Sequence, residues 1–149
     1  MRSLTRRRQP KIPVPSEHVE QVNLFEWVKL AQAAHPALRL LYAIPNGGER
    51  NKAVAGKLRA EGVKPGVLDL CLPVPRGVFH GLYIEMKRQE GGRVSKDQAR
   101  WIADLRAEGY SAVVCHGWAQ AREVLLAYLA LSCAPSGSVS EPKAVECGH

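Results

Sequence analysis

The sequence predicts an α/β sandwich, a small mixed sheet of about four strands flanked by helices. Three observations carry that expectation. Helical and strand-like apolar patterns alternate between about residues 16 and 131, in the order helix, strand, helix, strand, strand, helix, strand, helix. The strand-like runs are short and apolar: LRLLYAI (38–44), VLDLCL (67–72), LYIEMK (82–87) and SAVVC (111–115). Pro, Gly and Asn punctuate the changes of pattern.

Each element has its own local cause. Ser16 is a fitting N-cap for a helix running to about Ala34, which the His35-Pro36 step stops. The first strand ends at Pro45-Asn46-Gly47-Gly48; two adjacent glycines without a following Lys-Ser/Thr do not make a phosphate-binding P-loop. A second helix is expected over about 49–61, with Gly62 at its C-terminus. A Pro/Gly connection over 73–78 joins the second strand to the third. Ser95 opens a helix carrying Trp101, Ile102 and Leu105 that closes at Gly109, and WAQAREVLLAYLALS forms a last amphipathic helix.

Composition narrows the class of protein. The 149 residues suit one domain with a real core, from about 16 to 131, between a basic arm (1–15) and a Ser/Pro/Gly-rich tail (132–149). A net charge of +7, from 21 Lys+Arg against 14 Asp+Glu, favours a polyanionic partner. Cys71, Cys115, Cys133 and Cys147 are scattered, with no CxxC, which argues against a zinc site or a disulfide framework and fits reduced thiols in a cytoplasm. No run approaches the roughly 18 apolar residues of a membrane span, and no signal peptide is expected.

Charge inside two of the strands is what points to chemistry. Alternation puts Val67, Asp69 and Cys71 on one face and Leu68, Leu70 and Leu72 on the other. In LYIEMK it puts Tyr83, Glu85 and Lys87 opposite Leu82, Ile84 and Met86. A carboxylate in an apolar strand is costly unless it is paired or binds metal. Each charge alone is explained by a structural ion pair. Asp69 and Glu85 on adjacent strands would repel, and a divalent cation removes that problem. Lys87 can stand over the same spot and hold a water or phosphate oxygen. An Asp followed across a hairpin connection by Glu-x-Lys is a metal-nuclease arrangement.

From these residues outward the chain resembles the VRR-Nuc domain family of the PD-(D/E)xK nuclease superfamily, in its small stand-alone bacterial and phage form. SEHVEQVNLFEW, AIPNGGER, GVLDL, GLYIEMK, SKDQ and GYSAVVCHGWAQAREVL match in order. The family's Val-Arg-Arg motif is not evident, and Gly66 opens the Gly-Val-Leu-Asp run where a Pro before the Asp is commoner. Neither change removes a ligand.

The resemblance implies a restriction-endonuclease-like core and a homodimer acting on branched or double-stranded DNA with Mg²⁺, or Mn²⁺ in its place, to leave 5′-phosphates. It implies that Asp69, Glu85 and the Met86 carbonyl hold the metal, and that Lys87 orients or deprotonates the attacking water. Helix-1 acids of the family correspond to Glu17 or Glu20. On a helical wheel Glu17 points with the apolar stripe of Leu24, Val28 and Ala31, while Glu20 lies on its flank. Glu17, four residues before Gln21, fits the family spacing and completes the metal shell directly or through water. Local reasoning offers Glu17 a second role, complementing the helix dipole after Ser16. Gln98 matches a glutamine beside the metal, yet Ser95-x-x-Gln98 also reads as a capping box. Asn46, Arg50, Lys57, Lys64, Arg88, Arg93 and the arm's Arg6-Arg7-Arg8 are expected to touch the DNA backbone. His80 and His116 read as loop-edge residues, and Trp27, Trp101 and Trp118 as core. The rival from another class is a non-catalytic nucleic-acid-binding or assembly module using the same basic surface; an RNA-directed nuclease is a third.

Overall fold

The computed structural model describes residues 13–45 and 52–132. Asn46, Arg50, the arm's arginines, Cys133 and Cys147 lie outside the described residues. The described residues form helices α1 (Glu17–Ala31), α2 (Lys52–Ala60), α3 (Lys96–Ala107) and α4 (Trp118–Leu129) and strands β1 (Tyr42–Ala43), β2 (Leu70–Leu72), β3 (Leu82–Lys87) and β4 (Ser111–His116), with α1, α3 and α4 packed on the sheet. The sheet order is β1-β2-β3-β4. The β1–β2 and β2–β3 pairs are antiparallel, whereas β3 and β4 are parallel and need the crossover that α3 supplies. Among the described residues no helix is long and apolar enough to cross a membrane.

The sheet separates two unequal cores. On one face Leu70, Leu72, Leu82, Ile84 and Met86 pack with α1 and α4 in one large apolar cluster. On the other, Leu68, Ile102, Leu105 and Ala112 form a small cluster under α3, with Tyr83 and Trp101 against it. Trp27 and Trp118 pack on the large cluster, so all three tryptophans serve the core as expected.

Three local expectations need correction. LRLLYAI is mostly not a strand: residues Pro36–Leu40 form a 3₁₀ turn, and only Tyr42–Ala43 pair with β2. Pro36 suits the first turn of a helix, and the three-residue spacing of Leu38 and Leu41 lets a tight turn bury both. Helix α1 ends at Ala31, three residues before Ala34, because the chain turns ahead of Pro36. VLDLCL is a strand only from Leu70, with a bend at Asp69, so Leu68 joins the small core while Leu70 and Leu72 join the large one. At the bend the Asp69 side chain takes a backbone N–H of β3, described next.

Candidate active site

Strand β3 carries Tyr83, Glu85 and Lys87 toward the small core, and Tyr83 is its last apolar contribution to that face. Beyond it Val114 of β4, level with Glu85, still packs on the small cluster, while β3 itself turns to charge. Glu85 is 1% exposed and Lys87 6%, although both sit at the strand's end. Continuing the β2–β3 register by one residue from the Leu70–Ile84 pair brings Asp69 level with Glu85. There Asp69 Oδ2 accepts the Met86 backbone N–H at 2.8 Å.

Lys87 Nζ donates to Glu85 Oε1 at 2.7 Å, and Glu17 Oε1 lies 3.7 Å from the same ammonium. The Gln98 amide nitrogen donates to that same oxygen of Glu85. Glu85 Oε1 is thus filled by two donors, while Glu85 Oε2 is buried without a hydrogen-bond partner. Burial pushes the Glu85 carboxyl up to about 7, with Asp69 and Glu17 pushing the same way and Lys87 opposing. Burial also raises Asp69, against the Met86 N–H and Lys87. For Lys87, burial acts to lower the ammonium, but Glu85, Glu17 and Asp69 outweigh it and hold the lysine charged.

The order of these residues is matched by a family model for the VRR-NUC domain over residues 15–119. The chain belongs to the VRR-NUC domain family. A solved structure described as a VRR_NUC domain protein superposes with a TM-score of 0.69 at 28% identity, over 81% of this chain and 93% of that one. No match was found among curated proteins. The restriction-endonuclease-like α/β fold expected from the motifs is therefore present, in a nuclease-type domain family.

Within this VRR-NUC domain the two acids of α1 separate cleanly. Glu20, not Glu17, lies in the buried stripe with Leu24 and Val28, contrary to the helical-wheel reading. Its carboxylate accepts the Trp118 N–H at 2.8 Å and Gln89 Nε2 at 2.9 Å. The N-cap of α4 is Gly117, which has no side chain to cap it, so Glu20 supplies the acceptor from another helix. Glu20 is a structural residue. Glu17, with 48% of its side chain exposed, is the acid that reaches Lys87.

The two roles offered for Gln98 do not compete. Its Oε1 accepts the Ser95 N–H at 2.8 Å and its backbone N–H donates to Ser95 Oγ at 3.2 Å, completing the capping box, while Nε2 donates to Glu85. An amide has two ends.

Close backbone approach holds this arrangement, and the sequence shows it only as glycines. Gly66, with φ +79°, lies so near the start of α3 that a Cβ would come 2.5 Å from Asp97 Cβ. A Cβ at Gly92 would come 2.8 Å from Lys87 Cβ, so the loop after β3 lies directly on the lysine stem. Gln89, unnoticed in the sequence, fills the space over Gly117 and reaches Glu20.

The remaining expected contacts disperse. Lys57 is exposed on α2, 3.8 Å from Glu61, and Lys64 is exposed beyond that helix. Arg88 and Arg93 line an open groove beside Glu17. His80 packs edge-on against Tyr110, and His116 Nδ1 lies 3.3 Å from the Arg88 carbonyl oxygen; neither reaches the carboxylates. Among the described residues no three Asp, Glu, His or Cys side chains form a metal cluster. Two carboxylates, one with a bare buried oxygen, fit a hard cation that keeps much of its water shell, as Mg²⁺ does.

Proposed function

We propose that the protein is a Mg²⁺-dependent DNA nuclease, with Mn²⁺ as a substitute, that hydrolyses phosphodiester bonds as a structure-selective endonuclease on branched DNA. The observation that carries this is Glu85 Oε2, bare and buried beside Asp69, with the sister oxygen held by Lys87 and Gln98. Asp69, Glu85 and the Met86 carbonyl would hold the metal, with Glu17 completing the shell directly or through water. The bound cation would neutralise charge developing on the scissile phosphate.

The chain's own groups divide the rest. Gln98 and Lys87 fix the Glu85 carboxylate so that one oxygen stays available. Lys87, held charged by its carboxylate neighbours, is suited to anchor a water or a phosphate oxygen and poorly suited to accept a proton. That favours the orienting role over the deprotonating one. The Gly92 loop over the lysine stem limits where the ammonium can swing. Preference for branched DNA rests on the family resemblance, and the homodimer on one small domain having to hold both strands of such a substrate.

Supercoiled plasmid and branched DNA incubated with Mg²⁺, and with EDTA, test the reading. Wild type should cut only with the metal, and Lys87→Ala should cut at least about 10²-fold more slowly while still melting cooperatively. Wild-type cutting in EDTA, or full activity of Lys87→Ala, would overturn it. A protein that binds DNA yet never cuts favours the assembly-module rival.

A further inference from the structure

Next to the carboxylates runs an open groove of about 530 Å³, lined by Ser16, Glu17, His18, Arg88, Gly91, Gly92 and Arg93. Its walls come from the first turn of α1 and from the loop that leaves β3, so two residues of the candidate site border it. Glu17 lines it directly, and Gly92 sits on the stem of Lys87. Among the described residues neither Arg88 nor Arg93 lies within ion-pair distance of a carboxylate, whereas Lys29, Lys57 and Lys87 do. Two adjacent glycines leave the loop wall without side chains, and the Arg88 guanidinium lies over one of them, where a Cβ at Gly91 would meet Nη2 at 3.5 Å. The α1 first turn adds the positive end of a helix, although Ser16 Oγ already takes the Val19 N–H.

We infer that this groove is a phosphate subsite, holding a backbone phosphate of the DNA strand beside the one that reacts, through the Arg88 and Arg93 guanidinium groups. The inference rests on the nuclease reading for the identity of the strand. Two unpaired guanidinium groups facing an open polar groove match a phosphate in charge and in bidentate geometry. The missing side chains of Gly91 and Gly92 leave room for the Arg88 guanidinium and the Lys87 stem beside the groove. Sharing Glu17 and the Lys87 loop with the carboxylate site places the subsite next to the reacting group. Occupying it would therefore help to fix which phosphate lies over Glu85.

Fluorescence anisotropy with short labelled DNA in EDTA separates binding from cleavage. Arg88→Gln/Arg93→Gln should bind about 10-fold more weakly, and the slope of log K against log salt should shrink by about 1. Lys29→Gln/Arg39→Gln, an equal charge loss near the other end of α1, should change both far less. All four residues are exposed, so folding should be kept in both variants. Equal weakening by the two pairs, or wild-type affinity and slope in the groove variant, would overturn the subsite. A parallel Mg²⁺ cleavage assay keeps the two proposals apart. Wild type that cuts while the groove variant binds normally removes the subsite alone. Wild type that never cuts, while the groove variant loses binding and the control does not, removes the nuclease reading and leaves a phosphate groove.

Discussion

The two faces of the sheet differ in what they do with burial. Toward α1 and α4, β3 sends Leu82, Ile84 and Met86 into a cluster of fully apolar neighbours. Toward α3 the same strand sends Tyr83, Glu85 and Lys87, and only the first finds an apolar cluster. Glu85 is nevertheless as thoroughly buried as Met86, at 1% exposure each. One face uses burial to stabilise the fold; on the other, burial raises a carboxylate, and the carboxylates hold the neighbouring lysine charged against it. The site stands at the end of β3 where the smaller core thins, and the larger core makes this tolerable.

If the large cluster supports the small one, the greatest loss should come from its centre. Leu125→Ala, at a fully buried position of α4, should cost about 2–5 kcal/mol in denaturant melts. The same truncation at the small core's Ile102, which is 8% exposed, should cost less. An equal cost at both would erase the asymmetry.

The join between the faces should come next. Glu20→Ala removes two hydrogen bonds and leaves the partly buried Trp118 backbone N–H without its acceptor, for about 1–3 kcal/mol. Glu17→Ala, on the exposed side of the same helix, should leave the melt nearly unchanged and act on cleavage instead. A Glu17→Ala melt as poor as that of Glu20→Ala would mean that both acids serve the fold.

The smallest effect is on pH dependence. Glu85 is raised from 4.5 to about 7 by burial, so in the metal-free protein its contribution is fully present below about 4.5 and is lost as pH rises through about 7. In EDTA the Glu85→Gln melting temperature should gain a few degrees on wild type between pH 5 and pH 8. Parallel pH profiles would mean that Glu85 is not strained by its surroundings.

Much of this was legible beforehand, for identifiable reasons. Strand β3 could be read because its period of two is unbroken, and α3 because Ser95, Gln98 and Gly109 mark its ends. The co-location of Asp69, Glu85 and Lys87 followed from motif order and pairing. What failed was local geometry set by tertiary contact. Pro36 turned an apolar run into a 3₁₀ turn, and the side-chain bond from Asp69 to the Met86 N–H bent a strand that composition made look continuous. The wheel misjudged Glu20 because an apolar stripe can include one acid when another helix offers an uncapped N–H.

The doubly used amide of Gln98 restricts what this position can become. Glutamate at the third position of α3 would cap the helix equally well, yet it would aim a further carboxylate at Glu85 where a donor now stands. Lysine would keep a donor and lose the acceptor that takes the Ser95 N–H. Leucine would keep neither. Only a side chain with an acceptor and a donor at one tip, on a stem of this length, satisfies the helix and the carboxylate together. The first turn of α3 and the grip on Glu85 Oε1 are therefore one unit, and opening that turn by fraying leaves Lys87 to hold the carboxylate alone.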